Sequence, residues 1–320
     1  VSTHLGDDHA GWDDRRVGLG PPRLEEIDRG VFAYVQPDGT WWINNTAFVT
    51  APDGVVVVDT CATERRTRAF LDTLAGVTSA PVRLVVNTHH HGDHTHGNYL
   101  TNPAAIVAHT RCREAMLATG IRHPHGVFEP VDWGELRLAP PILTFDDHVD
   151  VWAGDTKVEL HYIGTPAHTT NDVIVWLPAR RILFAGDLVF NGGTPFMLMG
   201  SIRGCAEALE RIRQFQPEVI VPGHGPVCDA GVLDRLVLYC EFVERLAVEI
   251  DDSGVPPLDA ARDTNLGEFA ALTDPERLVG NLHRALFERR GADRGAPIDL
   301  AAAIGDMLQY NGGRPLRCLA

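Results

Sequence analysis

Lysine is nearly absent from this chain: Lys157 stands alone among 28 basic residues, against 43 aspartates and glutamates, and the formal charge is −15. Such a deficit argues against nucleic-acid binding, which draws on cationic side chains to neutralise phosphates. No apolar run approaches the roughly 18 residues that a membrane-spanning helix requires. Val1 to Arg16 is polar and charged, without the apolar stretch and small-residue cleavage site of an export signal, so a cytoplasmic location is expected. Six cysteines, at 61, 112, 205, 228, 240 and 318, show no C-x-x-C or other close pairing and read as reduced, mostly buried thiols. No internal repeat is evident. At 320 residues and 44% hydrophobic content the chain can bury a large core.

Against these absences stands one dense cluster, Thr88-His89-His90-His91-Gly92-Asp93-His94. A borderline cation such as zinc takes imidazole nitrogens and carboxylate oxygens in a small shell. His89 and His91 are two apart and can reach one ion from an extended loop, whereas Asp93 and His94 could serve a second. The preceding Val82-Arg83-Leu84-Val85-Val86-Asn87 reads as a short buried strand, so the ligands begin where a strand ends. The same placement recurs three times. Lys157 to Ile163 leads to Gly164-Thr165-Pro166-Ala167-His168, Arg181 to Phe184 leads to Ala185-Gly186-Asp187, and Val219-Ile220-Val221 leads to Pro222-Gly223-His224. Ligand sites in layered α/β proteins collect at the carboxyl ends of strands.

The rest of the chain divides into a tail at 1–22, a strand-rich catalytic domain at 23–228 and a helical extension at 229–320. Strands are expected at Val31 to Val35, Trp41 to Thr50 and Val55 to Val58, separated by the turn signals Pro37-Asp38-Gly39 and Pro52-Asp53-Gly54. A helix is expected over Thr63 to Leu74, with Phe70, Leu71 and Leu74 inward. Residues 120–147, with prolines at 124, 130, 140 and 141, read as an irregular insertion of the kind that forms a lid or wall. Leu233, Leu236, Val237, Cys240, Val243, Ala247 and Ile250 recur at helical spacing from Val232, Asp251 to Pro257 breaks that helix, and two more are expected near Glu276 to Glu288 and Leu300 to Gln309. Cys61 and Cys228 lie near the site loops.

The ligand set resembles the metallo-β-lactamase superfamily. That resemblance implies a four-layer αββα sandwich (class α/β) carrying two zinc ions, or iron or manganese, along one edge. His89, His91 and His168 would hold one ion, Asp93, His94 and His224 the other, and Asp187 would bridge them. Asp59, ending the Val55–Val58 strand, would support the site from behind, and His90 and His96 would not be ligands. Two ions about 3.5–4 Å apart can share a water and bring its pKa towards about 7, and Asp93 would orient the resulting hydroxide.

Beyond the ligands, Val131-Asp132-Trp133-Gly134-Glu135, Gly193-Thr194-Pro195-Phe196, Asn281-Leu282-His283-Arg284 and Tyr310-Asn311-Gly312-Gly313 are similar to cyclases of bacterial aromatic (type II) polyketide pathways. This likeness implies aldol cyclisation and release of an acyl thioester borne on an acyl carrier protein. Trp41, Trp42, Phe190, Phe196, Met197 and Tyr310 are the candidate apolar pocket walls, and Arg65, Arg66 and Arg68, or Arg289 and Arg290, the candidate carrier-docking cations. A glyoxalase-II-like thioesterase or a lactonase is the alternative, followed by a β-lactamase or a mononuclear iron dioxygenase.

Overall fold

A computed structural model describes residues 19–36, 38–122 and 125–320. Most of the expected tail, together with Pro37 and Pro124, lies outside the described residues.

Two sheets form the framework. The first contains β1 (Arg23–Asp28), β2 (Val31–Val35), β3 (Thr46–Ala51), β4 (Gly54–Val58), β5 (Val82–Val86), β6 (Ala105–His109) and β7 (Leu143–Phe145), hydrogen-bonded in that order. The second contains β8 (His148–Ala153), β9 (Thr156–Tyr162), β10 (Val173–Leu177), β11 (Ile182–Phe190) and β12 (Val219–His224), in the order β12-β11-β10-β9-β8. Strands β1 to β4 are antiparallel, whereas β4, β5, β6 and β7 pair in parallel. The parallel pair β11 and β12 lies at one edge of the second sheet.

The period-2 alternation of side chains explains the layering. Val31, Ala33 and Val35 of β2 meet Val158 and Leu160 of β9 and Val173, Val175 and Leu177 of β10 in a core between the sheets. Phe32 and Tyr34, pointing the other way, pack with Phe70 and Leu74 of α1 (Glu64–Val77). On the outer face of the second sheet, Ile174, Trp176, Leu183 and Ala185 pack under α4 (Ile202–Gln214), α5 (Gly231–Ser253) and α7 (Arg277–Arg289). The result is an αββα sandwich. The other α-helices among the described residues are α2 (Gly92–Thr95), α3 (Thr110–Thr119), α6 (Pro257–Asp263) and α8 (Leu300–Tyr310).

Helix α1 starts where Thr63 caps it through a side-chain bond to the Arg66 amide, and its inner face carries Phe70 and Leu74 as expected, with Leu71 only half-buried. Helix α5 runs from Gly231 to Ser253 and stops at Gly254, whose φ of +73° suits a residue without Cβ. The expected strand over Trp41 to Thr50 is shorter, beginning only at Thr46. Trp42 has φ +64°, a left-handed conformation that breaks extended pairing. The described residues of 120–147 are irregular apart from β7. Among the described residues no helix is long and apolar enough to cross a membrane, and all six cysteines are free thiols.

Candidate metal centre

The candidate ligands gather at one rim of the sandwich: His89 and His91 on the loop after β5, Asp93 and His94 on the short α2, His168 on the loop after β9, and His224 at the end of β12. Asp187 lies within β11, which runs on to Phe190 instead of ending at Phe184, and the backbone is shaped to bring them close. Gly223 sits where an added Cβ would fall 2.0 Å from Asp187 Oδ1, so only glycine lets β12 pass against that carboxylate. Asp59 adopts φ +60° immediately after β4, a conformation aspartate tolerates better than most residues. Its carboxylate accepts from the Thr88 amide (2.8 Å), from Thr88 Oγ1 (2.7 Å) and from His94 Nδ1 (2.8 Å). Thr88 Oγ1, having donated to Asp59, accepts from His89 Nδ1 at 3.1 Å. One carboxylate behind the site therefore orients two candidate ligands.

The ring nitrogens facing away from the centre are similarly occupied. His168 Nδ1 donates to Phe196 O and His224 Nδ1 to Gly39 O. These partners fix the tautomer, leaving Nε2 of His89, His94, His168 and His224 as electron-pair donors towards a common space. His91 differs: Nδ1 faces inward, 2.8 Å from His168 Nε2, while Nε2 lies 3.4 Å from Met199 Sδ.

Two overlapping ligand clusters result, His89, His91, His168 and Asp187, and Asp93, His94, Asp187 and His224, with Asp187 in both. The Asp187 carboxylate lies 3.3 Å from His168 Nε2, 3.3 Å from His224 Nε2 and 3.0 Å from His94 Nε2, and Asp93 Oδ2 lies 3.2 Å from His224 Nε2. Ligand atoms about 2.1 Å from one tetrahedral ion sit about 3.4 Å apart, so these spacings fit one cation in each cluster. His89 Nε2, His94 Nε2 and Asp187 Oδ1 are buried without a hydrogen bond despite these short approaches, because their geometry converges on a point instead of on each other. Buried polar atoms left so would be costly without a cation to bind. His90, bonded to Asn171, and His96, stacked on Trp42, belong to neither cluster.

Electrostatics separate the two clusters. Burial drives the imidazoles of His89 and His91 well below their ordinary range, and neighbouring histidines push the same way. In the other cluster burial also opposes charge, but Asp187, Asp93 and Asp59 outweigh it for His94, which is raised well above the ordinary value. His224 is raised to about 9, against burial, chiefly by Asp187. Burial would raise the carboxyls of Asp93 and Asp187. The facing histidines instead hold both below the usual carboxylate range. Asp93, Asp187 and Asp59 thus demand positive charge where the second ion would sit.

Above the clusters opens a cavity of about 330 Å³. His91, Asp93, His168, Asp187 and His224 form its floor, and Trp41, Trp42, Phe190 and Phe196, four of the six candidate wall residues, line it. The other two expected wall residues do not. Met197 points into the core of the C-terminal layer, because its amide is tied to Asn281 Oδ1 and the chain alternates direction after Phe196. Tyr310, at the end of α8, packs against that same core. Residues 120–147 supply Ile121, Val127, Phe128 and Leu138, and the C-terminal segment supplies Leu300, Ile304, Met307 and Leu316. Cys61 and Cys228 are not among the lining residues; Cys61 is buried under α1.

Several contributors carry no metal-ligand signature in sequence. Arg277, on α7, is buried with its guanidinium 4.1 Å from the Trp41 ring and 5.3 Å from Phe190, paired to Asp274 at 2.8 Å and donating to Thr194 O. Asn281 holds Met197 N, Pro195 O and Tyr239 Oη, and Arg284 donates to Leu198 O. The segments Gly193–Phe196 and Asn281–Arg284 are therefore one unit, in which α7 clamps the loop whose Phe196 carbonyl orients His168. Of the candidate docking cations, Arg66 is withdrawn into the interior, donating to Trp42 O and Asn44 O, because those carbonyls lie beside the kinked loop at Trp42. Arg68 is tied to Glu64, and Arg289 and Arg290 to Asp251.

The family model of the metallo-beta-lactamase superfamily matches residues 39–224, more than half of the chain. A metallo-beta-lactamase type 2 from Bacillus cereus is 27% identical over 197 residues, covering 59% of this chain and 70% of that protein. A beta-lactamase-like protein 2 homolog from Caenorhabditis elegans is 26% identical over 176 residues, covering 53% and 51% respectively. Among solved structures, a metallo-beta-lactamase from Pontibacter korlensis superposes with a TM-score of 0.58 at 21% identity, over 69% of this chain and 99% of that one. With the sandwich, the paired His and Asp clusters and the family match in agreement, this chain is a hydrolase of the metallo-β-lactamase superfamily.

Proposed function

We propose that the chain acts on an acyl thioester with a large, flat, apolar acyl group, most specifically an aromatic polyketide borne on an acyl carrier protein, cyclising and releasing it. The observation that carries this reading is the cavity. Its floor is polar and titratable, whereas its walls are aromatic and aliphatic over several sides, the composition that orients an apolar ligand by shape and its reacting group by a few polar atoms. A zinc pair held by the two clusters supplies polarisation of a carbonyl oxygen and a source of hydroxide at neutral pH.

The chain's own groups provide the rest. Asp93 is the more accessible of the two carboxylates on the floor, with 12% of its side chain exposed against 4% for Asp187. It is the group placed to orient a water against a bound carbonyl and to hold the proton released. Trp41 and Trp42 offer the broad walls against which an acyl ring system stacks. Arg277 keeps Trp41 in place through its cation–π contact, while the Trp41 indole N–H donates to Glu276 at 2.6 Å. Two of the four segments likened to polyketide cyclases, Gly193–Phe196 and Asn281–Arg284, clamp this wall, and Leu316 closes it by bridging to Phe128. An acidic carrier would approach the cations nearest the mouth, Arg122 and Arg137, with exposed Arg65 beyond them. A cytoplasmic setting suits a carrier-bound substrate.

The test is a substrate panel on zinc-loaded protein: aromatic polycyclic and acetyl thioesters of pantetheine, acyl-homoserine lactones and β-lactams. The aromatic thioesters are expected to give the highest kcat/KM. A preference for lactones or for acetyl thioesters would replace the polyketide reading by the lactonase or general thioesterase one. Turnover confined to β-lactams would overturn the thioester assignment.

A further inference from the structure

The outer face of the β8–β9 hairpin, on the free edge of the second sheet, carries a cluster independent of the centre. His148 stands directly opposite His161, Asp150 opposite Glu159 and Trp152 opposite Lys157. Spaced two apart, these side chains share one face. The Tyr162 amide donates to Asp147 O at 2.8 Å on the adjoining rung, which makes the His148–His161 rung the closely spaced, non-hydrogen-bonded kind. The two rings lie 4.6 Å apart between centroids at 31°, and Phe215 packs edge-on against His161.

Both imidazoles reach carboxylates. His148 Nε2 is 2.7 Å from Asp150 Oδ1, and His161 Nε2 is 3.0 Å from Glu159 Oε2. His148, Glu159 and His161 each present a ligand atom, all within 4.8 Å of one another. Between the carboxylates lies the chain's one lysine, with Lys157 Nζ 2.9 Å from Asp150 and 2.8 Å from Glu159. One ammonium for two carboxylates leaves a net negative charge whenever the imidazoles are neutral, and two neutral imidazoles beside it are donors of the zinc type.

We infer that this face is a second, separate metal site, holding a borderline divalent cation of the zinc class through His148, His161 and Glu159, with Asp150 beside His148 as a further oxygen donor. Two imidazoles in a set of three or four favour zinc, nickel or copper over magnesium or calcium, which prefer oxygen alone. Lys157 is the built-in competitor: the ion enters as the ammonium leaves Glu159. Bound there, the ion staples the edge strand β8 to β9, and through mass action it stabilises the folded state.

The test is equilibrium dialysis of the zinc-loaded protein against a series of free zinc concentrations, counting zinc per chain. Wild type is expected to hold one more ion than the His148→Ala/His161→Ala double variant at saturation. Each single variant should weaken that ion by about tenfold or more, while Lys157→Met tightens it. Hydrolase turnover at low zinc should match wild type in all of them, since none touches the centre. Should the double variant fold poorly, His148→Gln and Lys157→Met carry the same readout. Equal zinc content in wild type and the histidine variants overturns the site, and unchanged or weaker zinc affinity in Lys157→Met overturns the role given to the ammonium.

Discussion

The two clusters that share Asp187 are built from the same residue types and behave oppositely. His89, His91 and His168 are braced by neutral partners, namely Thr88 Oγ1, Met199 Sδ and the Phe196 carbonyl. Asp93, His94 and His224 are instead surrounded by charge, with Asp59 behind His94 and Asp93 and Asp187 facing both imidazoles. Without an ion His89 and His91 reject protons, whereas His94 and His224 collect them. The first would hold a cation as a set of neutral donors, and the second through charge compensation as well. An ion is therefore expected to bind more tightly in the second cluster, where burial keeps salt from screening these charges.

Removing the shared residue is the harshest way to collapse that distinction. Asp187→Ala should empty both clusters and lower kcat/KM by more than about a hundredfold, beyond the 10–100-fold typical when only an outer partner of a ligand is lost. Metal analysis by mass spectrometry of the purified variant, beside its turnover, checks this; normal metal content would show that Asp187 bridges nothing. Asp59→Asn probes the asymmetry itself. It keeps the shape but removes the charge behind His94, so zinc affinity of the second cluster should fall about 10–100-fold, with a smaller loss in the first cluster through Thr88. Stepwise chelator competition separates the two, and an equal loss in both would erase the comparison.

Acidity divides the clusters in a third way. In metal-free protein, His89 and His91 titrate below the ordinary 6.5, so the unfolded chain binds more protons below that pH and stability rises towards 6.5. His94 is raised and His224 titrates near 9. The folded chain then binds more protons between about 6.5 and 9, and stability falls across that interval by up to about 3 kcal/mol for His224. Thermal melts with chelator should peak near pH 6.5 and decline on both sides. With zinc present the alkaline decline should flatten, because the ion replaces the protons. Identical curves with and without chelator would show that the clusters hold no ion in solution.

The floor of the cavity was legible in the sequence because His89, His168 and His224 come at the ends of strand-like runs, and such ends in a layered sandwich converge on one rim; Asp187 joins them from within β11, which extends to Phe190. Asp59 likewise ends the Val55–Val58 strand, but position alone fits a turn residue as well, and its supporting role is implied only by the family resemblance. The walls were less legible since they are non-local. Phe128 meets Leu316, and Trp41 is fixed by Glu276 and Arg277, partners that no local pattern announces. Trp41 and Trp42 could be named as aromatic wall residues, but the end of the strand before Thr46 depends on the left-handed turn at Trp42 and on the buried side chains of Asn44 and Asn45 bonding to distant carbonyls. Phe196 and Met197 illustrate the limit most sharply: adjacent apolar residues face opposite sides, and only the clamp from Asn281 determines which one meets the cavity.

The gentlest probe of the comparison is Met199. Four of the five inward-facing imidazoles donate their other N–H to an oxygen, whereas His91 has only a thioether at 3.4 Å, a weak acceptor that adds little electron density to the ring. If weak bracing contributes to the neutral character of the first cluster, Met199→Gln should strengthen it by placing an amide oxygen within reach of Nε2. Zinc retention in the first cluster is expected to rise severalfold, up to about the tenfold lower end of outer-partner effects, with the second cluster unchanged. Chelator competition on the metal-loaded variant reads this directly. A gain in the second cluster, or none in either, would mean that charge alone separates the two ends of the centre.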